Sequence, residues 1–455
     1  MLLYSSKSSD SVGEHDGKSS AIVLIPGFLS PTSTHFSKPY WGSANQFNTT
    51  TSPIITVTPS GVASLHDRCC DIFAQLTGTR VNYGKKHSQF HGHSQYGQTY
   101  KTPLLKNWNA ANPIHLVGHS FGGTTARWFH HMLSSGQFGV NYTSECVLSI
   151  STINAPNNGA LSVYCFGGKC SSNNSSCSCS CSSPSTSTSS SSSSRNRTEH
   201  VLTWSIGWLL GMYVHLHNFF SFFYLNSIYN FGMSQWSSSL YDTLYSIFIY
   251  SSMFEGQDCA NYDMTVHRAI EMNLQIPTDQ NTFYFSIVGN TKSTMKHSKK
   301  NKNKKYSEIA TTKDTGAAAA TTCTSIKDFL LYCFGRCFMF IIYLSTWYHY
   351  NRITDNMNEK KAQEWMASGS DGLVTVKSQS YPLIDANMQE PSHCNLTTFN
   401  HKKNQNIKPG TWYVHHVNGH HLETVPFPKS QATQYNLFEG LFGTLRNLAP
   451  KKRKY

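Results

Sequence analysis

Residues 114–124 read Ile114-His-Leu-Val-Gly-His-Ser-Phe-Gly-Gly-Thr124, and this stretch decides the fold. Ile114, Leu116 and Val117 form a short buried-strand signal. The strand runs directly into Gly118-x-Ser120-x-Gly122, and Thr124-Ala-Arg-Trp-Phe-His-His-Met-Leu133 follows as a helix covering a sheet. A serine at a sharp strand-to-helix turn is a nucleophile elbow, with its hydroxyl standing clear of the sheet. The glycines are required because the turn leaves no room for side chains beside the serine. In a Gly- and Ser-rich chain the five-residue pattern arises readily by chance, so the strand before it and the helix after it carry the signal. Ser120 is the candidate nucleophile, facing the positive end of that helix.

Further strands flank this one. Ala21-Ile-Val-Leu-Ile25 ends at Pro26-Gly27-Phe28, and residues 54–57 make a second segment. Cys146-Val-Leu-Ser-Ile-Ser-Thr152 is closed by the turn Asn154-Ala-Pro-Asn-Asn-Gly159, and Thr282-Phe-Tyr-Phe-Ser-Ile-Val288 comes later. Strands alternating with helical segments predict an α/β fold of the α/β-hydrolase type: a mostly parallel central sheet, helices on both faces, a helical lid and inserted loops. Residues 1–19 are polar and expected to be disordered, and 20–449 form a single domain. That domain includes a Ser/Cys-rich low-complexity insert at 165–199, an apolar lid region at 200–255, a basic low-complexity insert at 292–328 and an apolar helix at 329–348. A basic tail occupies 450–455.

The formal charge of +13 suggests nucleic acid, but its distribution argues otherwise. Much of the excess sits in residues 296–305, Lys402-Lys403 and Lys451-Lys-Arg-Lys454, which read as solvated tracts. With no basic helix interleaved with aromatics, no nucleic-acid partner is expected. The 13 cysteines are odd in number, so their pairing cannot be read. Cys170, Cys177, Cys179 and Cys181 lie in a Ser/Asn repeat and read as linker rather than metal site. Sequons at Asn48, Asn141, Asn173, Asn174, Asn196 and Asn395 would permit glycosylation, whereas Met1-Leu-Leu-Tyr-Ser-Ser-Lys lacks the apolar core of a signal peptide. A cytoplasmic or membrane-associated location is favoured, with secretion left open by the sequons.

Residues 201–241 contain no Asp, Glu, Lys or Arg, and residues 329–347 contain only Arg336, so either stretch is long enough to span a bilayer. Chain order argues against spanning. Ser120 precedes both stretches, and its proposed partners follow both. One span would separate them across the membrane, and two would strand the 282–288 strand on the far side. A lid and a lipid-facing surface helix are therefore expected, with peripheral membrane contact. Trp204, Trp208, Phe219, Phe220, Phe222 and Phe223 make that lid aromatic.

A serine hydroxyl needs a base to take its proton, and the base needs an orienting carboxylate. In this fold the chain order is Ser, acid, His. Ser370-Asp371-Gly372-Leu-Val-Thr-Val376 offers an acid on a turn beside a strand, and Gly419-His420-His421-Leu422-Glu423 offers a late histidine.

These segments resemble the zinc-containing triacylglycerol lipases of staphylococci and thermophilic bacilli and their eukaryotic lipase-like relatives. The likeness extends from about residue 21 to 445, with the two inserts unmatched. It rests on Pro26-Gly-Phe28 with Tyr40-Trp-Gly42, on Asp67-Arg68 with Ala74-Gln-Leu-Thr-Gly78, and on Tyr83-Gly-Lys-Lys-His87-Ser-Gln-Phe-His91-Gly-His93 followed by Tyr96-Gly-Gln-Thr-Tyr100. Asp371-Gly372 and His421-Leu-Glu423 complete it. The resemblance implies Ser120 as nucleophile, His421 as base, Asp371 as its orienter, and the backbone N–H groups of Phe28 and Phe121 as the oxyanion hole. His420 is the alternative base; the family places Asp there and its histidine one position later. Pro26 and Phe121 depart from the family's usual His and Gln. The resemblance also implies a structural zinc on Asp67, His87, His93 and Asp258, two imidazoles and two carboxylates suited to tetrahedral zinc. Calcium is only weakly supported: Glu423 matches one ligand, but the expected aspartate falls near Pro428.

The expected function is a lipase or carboxylic ester hydrolase that cleaves acylglycerol or other lipid esters through a Ser-His-Asp acyl-enzyme, acting at a lipid–water interface. The competing expectation is a catalytically inactive lipid-binding or membrane-peripheral protein on the same fold, since fold does not dictate function.

Overall fold

The computed structural model describes residues 20–30, 40–167, 206–220, 231–233, 235–236, 241, 244–245, 256–291, 344, 359–383, 392–393, 407–425 and 431–448. The N-terminal stretch, the basic insert and tail, residues 168–199 of the Ser/Cys-rich insert and all but Leu344 of the 329–348 segment lie outside the described residues.

The described residues form nine strands: β1 (Ile22–Ile25), β2 (Ile54–Thr56), β3 (Arg80–Asn82), β4 (Tyr96–Thr99), β5 (Ile114–His119), β6 (Val147–Ile153), β7 (Phe283–Asn290), β8 (Ser392–His393) and β9 (Trp412–Asn418). Seven of them form one sheet in the order β2-β1-β5-β6-β7-β9-β8, and every neighbouring pair is parallel. β3 and β4 make a separate antiparallel ribbon. All-parallel strands are buried on both faces, which is why β1 reads as the unbroken apolar run Ile-Val-Leu-Ile.

Alternate side chains feed two cores. On one face Val23, Ile25, Leu116, Ile150 and Tyr284 meet helix α1 (Leu65–Thr77) through Ile72 and Leu76, and helix α3 (Phe121–Ser134) through Phe129, Met132 and Leu133. On the other, Ile22, Leu24, Phe283, Phe285 and Ile287 meet the Gln431–Arg446 helix through Phe438, Leu441, Phe442 and Leu445. Each such side chain withdrawn from water contributes roughly 1.5–3 kcal/mol, so both helices are held by their apolar faces. The α1 start is set by Ser64, whose hydroxyl accepts the Asp67 N–H, and its end by left-handed Gly78. Between α1 and α3 lies the short helix α2 (Lys85–His91).

The observed sheet agrees with the expected parallel α/β architecture. Strand β9 is the main element absent from the sequence reading. Its Trp-Tyr-Val-His-His-Val-Asn run mixes aromatic and imidazole side chains, and lacks the aliphatic signal of β1 or β5. A second difference concerns Asp371. No strand follows its turn: Ser370 and Thr375 close an isolated bridge, and the chain enters the short helix Val376–Ser380. The apolar Leu373-Val374 pair suggested a strand, but both N–H groups are taken by the Asp371 carboxylate, and the Thr375 side chain caps the helix.

In the 200–255 region expected to form a lid, residues 206–220 are helical, with Val214 buried and Leu209 and Tyr213 exposed. No helix among the described residues is long and apolar enough to cross a membrane.

Candidate active site

Ser120 stands between the last residue of β5 and the first of α3. Its backbone sits at φ 55°, ψ −130°, a strained conformation for a side-chain-bearing residue, held by the Ser120 N–H donating to the Ile153 carbonyl at 2.8 Å. The flanking glycines are steric necessities. A Cβ at 118 would lie 2.2 Å from the Gly122 carbonyl oxygen, and one at 122 would lie 2.1 Å from the Ile25 carbonyl oxygen.

Two residues from distant loops meet this hydroxyl. His421, just beyond β9, places Nε2 2.8 Å from Ser120 Oγ, and its Nδ1 lies 2.7 Å from Asp371 Oδ2. The His421 N–H also donates to the Asp371 carbonyl at 2.9 Å, so the two loops are tied by backbone as well as side chain. Asp371 is fully buried, and its other carboxylate oxygen accepts N–H groups from Leu373 at 3.0 Å and Val374 at 2.8 Å. A carboxylate so supported is an acceptor on every side. It therefore fixes the proton on His421 Nδ1 and leaves Nε2 as a lone pair facing the serine. The neighbouring His420 places its Nε2 3.6 Å from Glu423 Oε1.

Beside the serine runs the loop after β1. The Gly27 N–H donates to the Tyr40 hydroxyl and the Leu29 N–H to the Gly61 carbonyl, while the Phe28 N–H between them has no partner among the described residues. Phe121 opens α3, so its N–H has no acceptor within the helix. Arg68, fully buried, ties both elements together. Its guanidinium donates to the Pro26 carbonyl at 2.6 Å, to the Ser60 carbonyl and to Thr125 Oγ1, and lies 5.0 Å over the Phe121 ring.

The one residue step from Arg68 to Asp67 leads to a second cluster. Asp67, His87, His93 and Asp258 each offer one ligand atom, and these atoms all lie within 4.8 Å of one another. Imidazole Nε2 and carboxylate oxygens face each other at 3.1 to 3.9 Å, yet Asp67 Oδ1, both Asp258 oxygens and both Nε2 atoms are buried with no aligned hydrogen bond. His93 Nδ1 sits 2.9 Å from the Ser94 carbonyl and must carry its proton there, which turns the Nε2 lone pair toward the carboxylates. Burial and the neighbouring Asp258 charge push the Asp67 carboxyl pKa up. His87 is buried, which lowers its pKa, but the Asp258 and Asp67 carboxylates outweigh this and raise it to about 9. Two carboxylates and two imidazole Nε2 atoms converge on one point, and the donor set fits a tetrahedral metal, which would displace the proton that the carboxylates hold on His87.

A family model of the lipase-like C-terminal domain matches residues 21–323. The chain belongs to this family. A 116-residue stretch is 37% identical to the lipase of Staphylococcus hyicus, covering 22% of this chain and only 18% of that relative's length. The crystal structure of Staphylococcus hyicus lipase aligns at a TM-score of 0.60 with 19% identity, over 96% of this chain and 98% of that one. The structure of EstA from Clostridium botulinum aligns at 0.58 with 20% identity, over 96% and 89%. These two likenesses establish a shared fold. The family match includes Ser120 and the Asp/His cluster and stops short of Asp371 and His421, so the convergence of those two rests on the geometry above.

Within this lipase-like fold, several residues went unassigned in the sequence reading. Gln235 and Trp236, from the apolar 200–255 region, pack against the Asp/His cluster. Gln235 Nε2 donates to Asp67 Oδ2 at 2.8 Å, and the Trp236 ring lies 5.0 Å from His93. The His66 ring stacks on His87 at 3.8 Å and meets the Tyr83 carbonyl through Nε2 at 2.8 Å. His66 immediately precedes Asp67, a local signal that could have drawn attention to it. Glu423, the weak calcium candidate, accepts the His420 N–H at 2.7 Å. Pro428 lies outside the described residues.

Proposed function

We propose that the chain is a serine carboxylic ester hydrolase of the lipase type, acting on acylglycerol or other lipid esters at a lipid–water interface. The observation that carries this reading is the unbroken relay Ser120 Oγ–His421 Nε2 at 2.8 Å and His421 Nδ1–Asp371 Oδ2 at 2.7 Å. His421 Nε2 takes the hydroxyl proton as Ser120 Oγ attacks the ester carbonyl. The new oxyanion is received by the N–H groups of Phe28 and Phe121; one such donor is worth roughly a hundredfold to a thousandfold in rate. His421 then passes the proton to the departing alcohol. Asp371 stabilises the imidazolium and keeps its tautomer. Water, deprotonated by the same imidazole, attacks the acyl-enzyme and releases the fatty acid.

A lipid substrate is supported by the lid helix, whose outward Leu209 and Tyr213 present apolar surface to solvent. Peripheral contact with a lipid surface is supported by the same exposed residues, and the proposed setting is cytoplasmic or membrane-associated, with secretion left open by the sequons. Zinc is the proposed occupant of the Asp67–His87–His93–Asp258 cradle. When bound it would supply a cross-link between α1, α2 and the segment carrying Asp258, beneath the docked lid base, while Ser120 carries the catalysis.

The test is hydrolysis of short- and long-chain p-nitrophenyl esters by the wild type and by Ser120→Ala. Loss of turnover to near background in the variant, with an unchanged melting curve and greater wild-type turnover on longer chains, is expected. Equal turnover by both proteins would reject the reading.

A further inference from the structure

Tyr40 and His119 are polar groups beside the triad that ester hydrolysis does not itself employ. His119 ends β5, directly before Ser120, and is 1% exposed. Its Nε2 lies 3.0 Å from the carbonyl oxygen of His421, the base. A carbonyl accepts only, so Nε2 carries the proton. Burial, followed by the nearby His421, holds the His119 pKa well below the ordinary histidine value, so the ring is neutral and Nδ1 is a lone pair. The Tyr40 hydroxyl, 2.6 Å from Nδ1, must therefore donate to it. The Tyr40 oxygen in turn accepts the Gly27 N–H at 2.9 Å. Every proton in this chain has one direction: Gly27 N–H to Tyr40 to His119 to the His421 carbonyl. The Asn154 side chain adds a second donor to the same carbonyl at 3.4 Å.

The two ends of the chain are functionally distinct. Gly27 immediately precedes Phe28 and is pressed against the nucleophile; a Cβ there would lie 2.8 Å from Ser120 Cβ. The other end is the backbone of the base. We infer that Tyr40 and His119 are positioning residues: a single buried relay that fixes the loop presenting the Phe28 N–H in register with the His421 imidazole, so that oxyanion donor and base are set together. This rests on the ester-hydrolase reading. Neither residue touches the reacting atoms, so their contribution is to the alignment of groups that do, which affects kcat more than KM.

The experiment is a double-mutant cycle with Tyr40→Phe and His119→Phe in the full chain. The first removes one hydroxyl and keeps the ring. The second keeps a flat ring and removes both the acceptor for Tyr40 and the donor to the His421 carbonyl, to which Asn154 still donates. Each single variant is expected to lower kcat about tenfold with KM within about twofold. The double variant is expected to be little worse than either single one, because both interrupt one chain. Amide hydrogen exchange at Gly27 gives a readout independent of turnover and is expected to quicken in both variants, measured where thermal melts show them folded. Multiplying kcat losses, unchanged kcat, a change confined to KM, or unchanged Gly27 exchange would each overturn the relay. An inactive wild type whose Gly27 exchange still responds to both variants would instead reject the hydrolase reading and leave the lock standing.

Discussion

Replacing Asp371 with Asn probes the orientation of the base with almost no change of shape. Asp371 presents one oxygen to His421 Nδ1 at 2.7 Å and the other to the Leu373 and Val374 N–H groups at 3.0 and 2.8 Å. An asparagine has one acceptor and one donor for these two places. If its oxygen keeps the two backbone donors, its NH2 faces Nδ1. The imidazole then carries its proton on Nε2 and points it at the Ser120 oxygen, where it cannot act as a base. A reversal of this kind reduces kcat on the order of ten-thousandfold. If the amide turns over, the tautomer is rescued but two buried N–H groups face an NH2. At about 1–3 kcal/mol each this adds roughly 2–6 kcal/mol, a population penalty of about thirtyfold to 25,000-fold. Both routes remove most of the activity. The cheaper arrangement for the fold keeps the backbone donors satisfied, so the melting temperature should barely move. Steady-state hydrolysis of a p-nitrophenyl ester together with a thermal melt checks this; a D371N enzyme within tenfold of wild-type kcat would refute the reasoning.

Chelation should destabilise the protein without touching the triad. An ion bound a thousandfold above its Kd contributes about 4 kcal/mol to folding, so EDTA or Asp258→Ala should lower the melting temperature markedly, and metal analysis of untreated protein should give about one zinc per chain; identical melts with and without chelator would remove the cluster from the account. Acid should destabilise the sheet through His115, whose burial lowers its pKa to about 3. The folded value lies below the unfolded one, so full stability holds above about pH 6.5 and is lost as pH falls from there toward about 3. Between pH 7 and pH 5 this group should account for about 2 kcal/mol, measured as a shift in urea midpoint that His115→Gln diminishes.

How much of this was legible in the sequence follows from where each signal lives. The elbow and the apolar strands were readable because a strained serine demands glycines and a parallel strand demands unbroken apolar runs, both local requirements. Strand β9 was not, because the burial of Trp412, Tyr413 and His415 depends on partners remote in the chain, such as Tyr284 stacked on Trp412 at 4.8 Å. The choice of His421 over His420 came from resemblance, and spacing alone left both open. Tyr40 stood inside a quoted motif and His119 inside the elbow itself, yet their link is a tertiary hydrogen bond across 79 positions. The docking of Gln235 and Trp236 on the Asp/His cluster was equally hidden, since polar and aromatic residues in an apolar region read as lid surface.

The central claim is that Ser120 is a serine made nucleophilic by His421. A fluorophosphonate probe reacts with such an oxygen and leaves a covalent adduct that peptide mass spectrometry can map. The account predicts one adduct per chain, on Ser120, formed by the wild type and lost in His421→Ala while that variant remains folded. No adduct on folded wild-type protein, or equal labelling of the wild type and His421→Ala, would contradict it.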